Sequence, residues 1–160
     1  MILVLVGPSG SGKTAVGQAL AAALGWPFLD ADDLHDAAAR AKMASGTPLD
    51  DADRAPWLAR VAHRMAALAA GGPGAVVACS ALRRAYRDTL RAAGADVRFV
   101  LLDADAATLR RRVADRRGHF MPASLVASQL ATLERADDLI AVDAARPIDQ
   151  LVAEIRARAA

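Results

Sequence analysis

A single cysteine, Cys79, stands among 160 residues, so no disulfide can form within the chain and the sequence suits a reducing cytoplasm. Lysine is nearly absent: Lys13 and Lys42 are the only two, and arginine carries almost all of the positive charge. No long cationic block occurs, and 20 basic residues face 18 acidic ones, so a computed pI near 9.2 does not give the footprint of a nucleic-acid binder. Small anionic ligands remain open as partners. Long apolar runs are missing as well. The opening MILVLVG is cut short by glycine before it could serve as a signal-peptide core or a membrane span, and it reads as a buried strand. With no repeat, low-complexity linker or composition break, residues 1–160 are expected to form one domain large enough to bury a real core.

What is present is a regular alternation. Short β-rich runs, ILVLV (2 to 6), PFLD (27 to 30), AVVAC (75 to 79), VRFVLL (97 to 102) and LIAVD (139 to 143), are separated by helical stretches. That order argues for an α/β fold, a parallel sheet with helices on both faces. Trp57, Leu58, Val61, Met65 and Leu68 share one helix face. Ile148, Leu151, Val152 and Ile155 repeat at helical spacing behind Pro147. Cys79, ending an apolar strand, reads as a small buried hydrophobe, and His63 as helix surface.

The strongest local signal follows the first strand. Gly7-Pro8-Ser9-Gly10-Ser11-Gly12-Lys13-Thr14 satisfies G-x-x-x-x-G-K-[ST], between a strand and an amphipathic helix as that motif requires. Gly7, Ser9, Gly10, Ser11 and Gly12 would turn backbone N–H groups towards phosphate oxygens. Lys13 would reach the terminal phosphates, and Thr14 would offer its hydroxyl to Mg²⁺. The loop names phosphates and a cation without naming what receives the phosphoryl group. A GTPase would carry an NKxD-like stretch, which is absent, and ABC-type or AAA+ ATPases need a longer chain with further motifs. A small kinase needs only the cradle, an acceptor pocket and a mobile cover.

FLDADDLHD supplies four carboxylates. A strand ending in Asp30 sets that side chain at the carboxyl edge of the sheet, beside the phosphate loop, and Asp32 can face the same crevice. Asp33 is expected at a helix N-terminus and Asp36 as a solvated first-turn charge. FVLLD, ending at Asp103, has the same strand-plus-aspartate pattern and competes with Asp30 for the magnesium shell, although Asp103-Ala104-Asp105 also resembles a helix start. Further on, Arg112 and Arg116 lie four apart and are expected on one helix face. Arg110, Arg111 and Arg117 read as its solvated side.

Read together and in order, GPSGSGKT, FLDADDLH, KMASGTPLDDADRAPWL, VVACSALRRAYRD and GHFMPASLVASQLATLE closely resemble the thermoresistant type of gluconokinase. These are small P-loop enzymes that phosphorylate D-gluconate with ATP to 6-phosphogluconate. The resemblance covers nearly the whole chain. It departs from the usual pattern at Ala31, which replaces a glycine, at Asp36, which replaces a proline, and at Ala39, which stands where an asparagine precedes KM. Arg83 replaces the lysine of SALK, and Arg135-Ala136 ends the usual TLExP. The wider likeness to shikimate, adenylate and adenylylsulfate kinases implies a five-stranded parallel sheet in the order 2-3-1-4-5 with a lid over about 116–124, hinged near Gly118. The gluconokinase resemblance implies ATP as the nucleotide and a homodimer, to which the phosphate loop adds Mg²⁺ as a cofactor and the cysteine content a cytoplasmic location.

From the same resemblance come the roles. Asp30 is directed to Mg²⁺ and Asp32 to the acceptor hydroxyl, as orienting residue and candidate base. Arg54 is directed to the gluconate carboxylate, its alternative being a surface ion pair with Asp50, Asp51 or Asp53. Ser80 and Arg83 follow the third strand into the crevice. His35 would donate to a hydroxyl or merely pair with a neighbouring acid; Lys42 would touch substrate or solvate its helix; Trp57 belongs to the core. Arg116 would meet the charge on the transferring phosphoryl group, with Arg112 on the adenine or phosphate side. His119 has too few partners for a zinc site. The remaining alternatives are a kinase of another small hydroxylated acid or polyol, and a nucleotide-binding regulator.

Overall fold

The computed structural model describes residues 1–94, 96–116 and 124–159. Five strands, β1 (Ile2–Val6), β2 (Phe28–Asp30), β3 (Ala75–Ala78), β4 (Val97–Asp103) and β5 (Leu139–Asp143), pair in parallel in the order β2-β3-β1-β4-β5. The helices are α1 (Lys13–Leu24), α2 (Ala37–Ala44), α3 (Asp51–Gly71), α4 (Arg84–Arg91), α5 (Ala106–Ala114), α6 (Leu125–Thr132) and α7 (Ile148–Arg158).

The inner strands β1, β3 and most of β4 are buried on both faces, which is why they read as continuous apolar runs, whereas the edge strands β2 and β5 are only partly covered. Side chains of a strand alternate between faces, and the core divides accordingly. Ile2, Val4, Val6, Val77, Phe99 and Leu101 pack with Trp57, Leu58, Val61 and Met65 of α3 and Leu90 of α4. Leu3, Leu5, Val76, Val100 and Leu102 pack with Val16 and Leu20 of α1 and Leu151 and Ile155 of α7. Ile148 is the exception to the helical repeat: at the first position of α7 it lies at the end of the buried stripe and is exposed.

All five strands run the same way, so every strand-to-helix loop opens on one edge. The order reverses at β1, where the chain leaves on the β3 side and later returns on the β4 side. Crevices form at such a point. Two backbone bonds close it tightly: Cys79 N–H donates to the Leu5 carbonyl (3.0 Å) and Gly7 N–H to that of Ser80 (3.3 Å).

Between β2 and α2 the chain differs from the expected single helix start. A 3₁₀ turn covers Ala31–Leu34, capped by Asp30, whose carboxylate accepts from Asp32 N–H (3.1 Å). The helix restarts after an extended His35, and its cap is Asp36, which accepts from Ala39 N–H (2.8 Å). Asp36 is therefore an N-cap rather than a first-turn charge, and Asp33 lies in the 3₁₀ turn. A second difference concerns α5, which ends at Ala114 with Asp115 as its cap. Arg116 follows the helix instead of sharing a face with Arg112. Apart from Arg116 and Ser124, the expected lid, with Gly118 and His119, lies outside the described residues.

Candidate active site

The phosphate loop wraps from β1 into α1, and its backbone requires glycine. Gly10 has φ +85°, and a Cβ there would come within 2.8 Å of the Leu109 carbonyl oxygen. Gly7 has φ +150°, and a Cβ there would meet Ser11 Oγ at 2.7 Å. The loop thus packs directly on α5, where Arg112 donates to the Gly10 carbonyl (3.4 Å) and the Ala144 carbonyl (2.9 Å), bridging the loop to the segment after β5. Ser11 Oγ is buried with no hydrogen-bond partner among the described residues.

Lys13 lies half-buried, its ammonium donating to the Gly7 (2.8 Å) and Pro8 (3.0 Å) carbonyls. Burial pulls its pKa down, while Asp32 and Asp30 pull it back up. Neutral carbonyls are weak company for a desolvated cation, so an arriving phosphate offers Lys13 a stronger partner. Beside it Thr14 Oγ1 donates to Asp30 Oδ2 (2.7 Å). Hydroxyl and carboxylate therefore adjoin at the rim of the cradle, the hard oxygen donors that Mg²⁺ accepts while keeping waters and phosphate oxygens as its other ligands. No group of three or more His, Cys, Asp or Glu side chains that could cage a metal occurs among the described residues.

Asp103 stands elsewhere. It is held by Arg135 through two contacts of 2.7 Å, which keep its carboxyl below the usual carboxylate range, and it lines a separate groove with Asp105 and Asp143.

Two cavities meet at the phosphate loop. One, of about 290 Å³, is lined by Gly10, Gly12, Lys13, Thr14, Asp30, Asp33, Arg40 and Arg116. The other, of about 440 Å³, is lined by His35, Arg54, Ser80, Arg83, Tyr86 and residues of α6. Ser9, Lys13 and Asp32 line both. A group bound in either meets the other at these three residues.

In the larger cavity, Arg54 donates through Nε to the Leu49 carbonyl (3.2 Å) and its guanidinium lies over the Tyr86 ring, 5.5 Å from the centroid. No carboxylate pairs with it among the described residues. The three acids that could have done so are engaged: Asp51 by Arg83 and the Tyr86 hydroxyl, Asp53 by Lys42, and Asp50 as the α3 cap. Lys42 thus belongs to that ion pair and is absent from the cavity lining.

His35 is 8% exposed and stacks on Trp57 with centroids 4.3 Å apart. Burial, and secondarily Arg40, Arg54 and Arg60, pushes its pKa down to about 4, so the ring is neutral at pH 7. Its Nε2 stays 3.9 Å from Asp32 Oδ1, beyond hydrogen-bond range, and its Nδ1 has no partner among the described residues. Trp57 is core, as expected, with its indole N–H donating to the Ala31 carbonyl (2.7 Å). Ala31 is fully buried, Asp36 caps α2, and Ala39 packs beside Met43, Leu49 and Leu125. None of these three departures lines the larger cavity.

The wall carrying Ser80 and Arg83 is held by residues the sequence reading did not single out. Ala81 adopts φ +37°, the one non-glycine residue with positive φ among those described. Arg87, fully buried, donates to the Ala81 (3.1 Å), Leu82 (3.2 Å) and Glu134 (3.1 Å) carbonyls and pairs with Asp138 at 2.8 Å. Hydrogen bonds from Arg87, and then Arg91, hold the Asp138 carboxyl down at about 2. Gln129 was missed as well. Its Oε1 accepts from the Ser9 N–H at 2.7 Å, tying α6 to the phosphate loop. The available signal was a lone carboxamide on the buried face of LVASQLAT.

A phosphate cradle opening sideways onto a polar acceptor cavity at the carboxyl edge of a parallel sheet defines a small-molecule kinase of the P-loop class. The family model described as an AAA domain matches residues 2–136, across the nucleotide-binding core. Relatives specify the class further. A gluconokinase of Gluconobacter oxydans (strain 621H) is 50% identical over 136 residues, covering 85% of this chain and 76% of that protein. The crystal structure of a gluconokinase from Sinorhizobium meliloti 1021 matches with a TM-score of 0.84 at 44% identity, covering 97% of this chain and 89% of the other. An unliganded sugar kinase from Janibacter sp. HTCC2649 matches with a TM-score of 0.91 at 42% identity, covering 98% and 92%. The chain belongs to the gluconokinase family of P-loop kinases.

Proposed function

We propose that this chain transfers the terminal phosphoryl group of ATP to a hydroxyl of D-gluconate, giving 6-phospho-D-gluconate and ADP, through the residues that line the two joined cavities. The observation that carries the assignment is Arg54, a guanidinium without a carboxylate partner among the described residues, in a polar cavity that shares Lys13 and Asp32 with the phosphate cradle. A sugar acid is a polyol with one carboxylate. It would answer Arg54 with that carboxylate and leave its hydroxyls to Ser80, Arg83 and neutral His35.

Phosphoryl transfer asks the protein chiefly for position and for charge. The Gly7, Ser9 and Ser11 N–H groups expected to face phosphate are given to Ser80, Gln129 and Pro8. The backbone N–H groups of Gly10 and Gly12, with the start of α1, therefore cradle the phosphates, and Arg112 steadies the nucleotide side of the loop. Lys13 and Arg116 neutralise the oxygens of the moving group. Mg²⁺, held by Thr14 with Asp30, would supply charge neutralisation at the phosphate oxygens. Asp32, reaching both cavities, orients the acceptor hydroxyl and takes its proton as the oxygen–phosphorus bond forms and the bond to the ADP oxygen breaks. Asp30 is favoured over Asp103 for the cation because Thr14 already donates to it, whereas Asp103 is bound to Arg135. We further propose that the active form is a cytoplasmic homodimer.

The test is a panel of acceptors with purified protein, Mg²⁺ and ATP: gluconate, shikimate and uncharged polyols. Gluconate should lead by a wide margin in kcat/KM. Equal turnover of gluconate and an uncharged polyol would remove the carboxylate role from Arg54 and with it the acceptor assignment.

A further inference from the structure

Ser9 and Gln129 are 120 residues apart in sequence, yet they form one of the shortest polar contacts at the site, the Ser9 N–H donating to Gln129 Oε1 at 2.7 Å in a buried setting. Gln129 is 9% exposed, and Ser128 and Thr132 of the same helix line the acceptor cavity with it. Ser9 lines both cavities. The carboxamide therefore lies on the acceptor side of Ser9, bonded to one of the three residues where the two cavities meet, and it takes a loop N–H that is directed towards α6.

We propose that Gln129 is a positioning residue that plugs this junction, so that an acceptor hydroxyl rather than water meets the terminal phosphoryl group. The inference rests on the kinase reading of the site. A buried N–H stripped of its acceptor recruits water wherever space allows. Truncating Gln129 would create both the space and the demand, placing a water beside Ser9 at the junction, where it can attack the γ-phosphorus and release inorganic phosphate and ADP. The intact side chain satisfies the Ser9 N–H and fills the volume, which keeps the loop set and the junction dry.

The experiment compares ATP hydrolysis without acceptor to transfer in saturating gluconate, using the full-length chain and Mg·ATP. Gln129→Ala should raise the ratio of hydrolysis to transfer by about tenfold, the rate equivalent of roughly 1.4 kcal/mol. Gln129→Met, similar in length but without an oxygen, should also raise it. Gln129→Glu, which keeps an oxygen for the Ser9 N–H, should return the ratio towards that of the native protein even if its charge slows both reactions. Ala and Met variants with the native ratio would overturn the proposal, as would a raised ratio that Glu does not lower. If Gln129→Ala fails to fold, Gln129→Met alone decides in the same way. Should native protein fail to phosphorylate gluconate, the acceptor assignment falls while the absolute hydrolysis rates of the variants still test the plug.

Discussion

The two cavities are built by different means. Half of the phosphate side's lining comes from one contiguous stretch, residues 9–14, and the rest from Asp30 to Asp33 at the end of β2, Arg40 of α2 and Arg116 beyond α5. Its key contacts, Lys13 to the Gly7 and Pro8 carbonyls, span five or six residues. The acceptor side gathers residues 32–35, 48–54, 80–86 and 125–132, and its contacts reach far along the chain: Trp57 to Ala31, Arg83 to Asp51, Arg87 to Asp138. The turn of the cradle and its lysine are set by local contacts, with α5 and α6 bracing the loop from outside, whereas the acceptor wall depends throughout on how helices α3, α4 and α6 are held against one another. Substitutions on the phosphate side should therefore act on the rate of transfer, and those on the acceptor side on substrate affinity and on the stability of the wall.

The largest effect should come from Arg116→Ala. An arginine that meets charge on the transferring group is worth on the order of 10³ to 10⁵ in rate, so kcat should fall by that factor while KM for gluconate changes little. Steady-state kinetics with both substrates varied would check it. A loss confined to KM for gluconate would transfer Arg116 to the acceptor side and break the division.

Arg54→Ala should do the reverse. Hydrogen bonds to a charged partner contribute about 1.5 to 3 kcal/mol, so KM for gluconate should rise roughly 10- to 100-fold with KM for ATP nearly unchanged. Arg54→Lys should recover only part of the affinity, because an ammonium lacks the planar fork. Uncharged polyols should not distinguish the variants from the native protein.

The same division decides what could be read from the sequence. Strand runs that are apolar because both faces are covered, and a motif whose geometry is contained in eight consecutive residues, declare themselves. So did the strand order and the placement of Asp30 beside Thr14, the first through likeness to known kinases and the second from a strand end. Where reading from pattern stopped short, tertiary contacts had made the choice. The helix expected to begin near Asp33 is interrupted because His35 turns inwards onto Trp57, a partner 22 positions away that local propensity does not register. Spacing alone put Arg116 on the α5 face, but Asp115 ends that helix first. Arg87 resembles its surface neighbours in RRAYRD, and only the position of Asp138, 51 residues later, buries it. Gln129 is the same case at greater range.

The smallest expected effect lies in the acceptor wall and is read by pH. Burial pushes His35 from 6.5 down to about 4, so the folded chain binds fewer protons than the unfolded chain between those values. Stability from the neutral ring is therefore present above about pH 6.5 and is lost as pH falls towards 4, with about 0.7 kcal/mol disappearing between pH 7 and 6. Asp138, held at about 2, gives up its contribution only below about pH 4, so it does not disturb this window. In a domain of this size the change corresponds to a fall of roughly 1 to 3 °C in Tm. His35→Phe keeps a ring to stack on Trp57 but cannot be protonated, and its Tm should stay level across the same interval in thermal unfolding. A native protein as flat as the variant would mean that His35 gains a proton without opening the wall. The acceptor side would then be no more sensitive to its long-range contacts than the phosphate cradle.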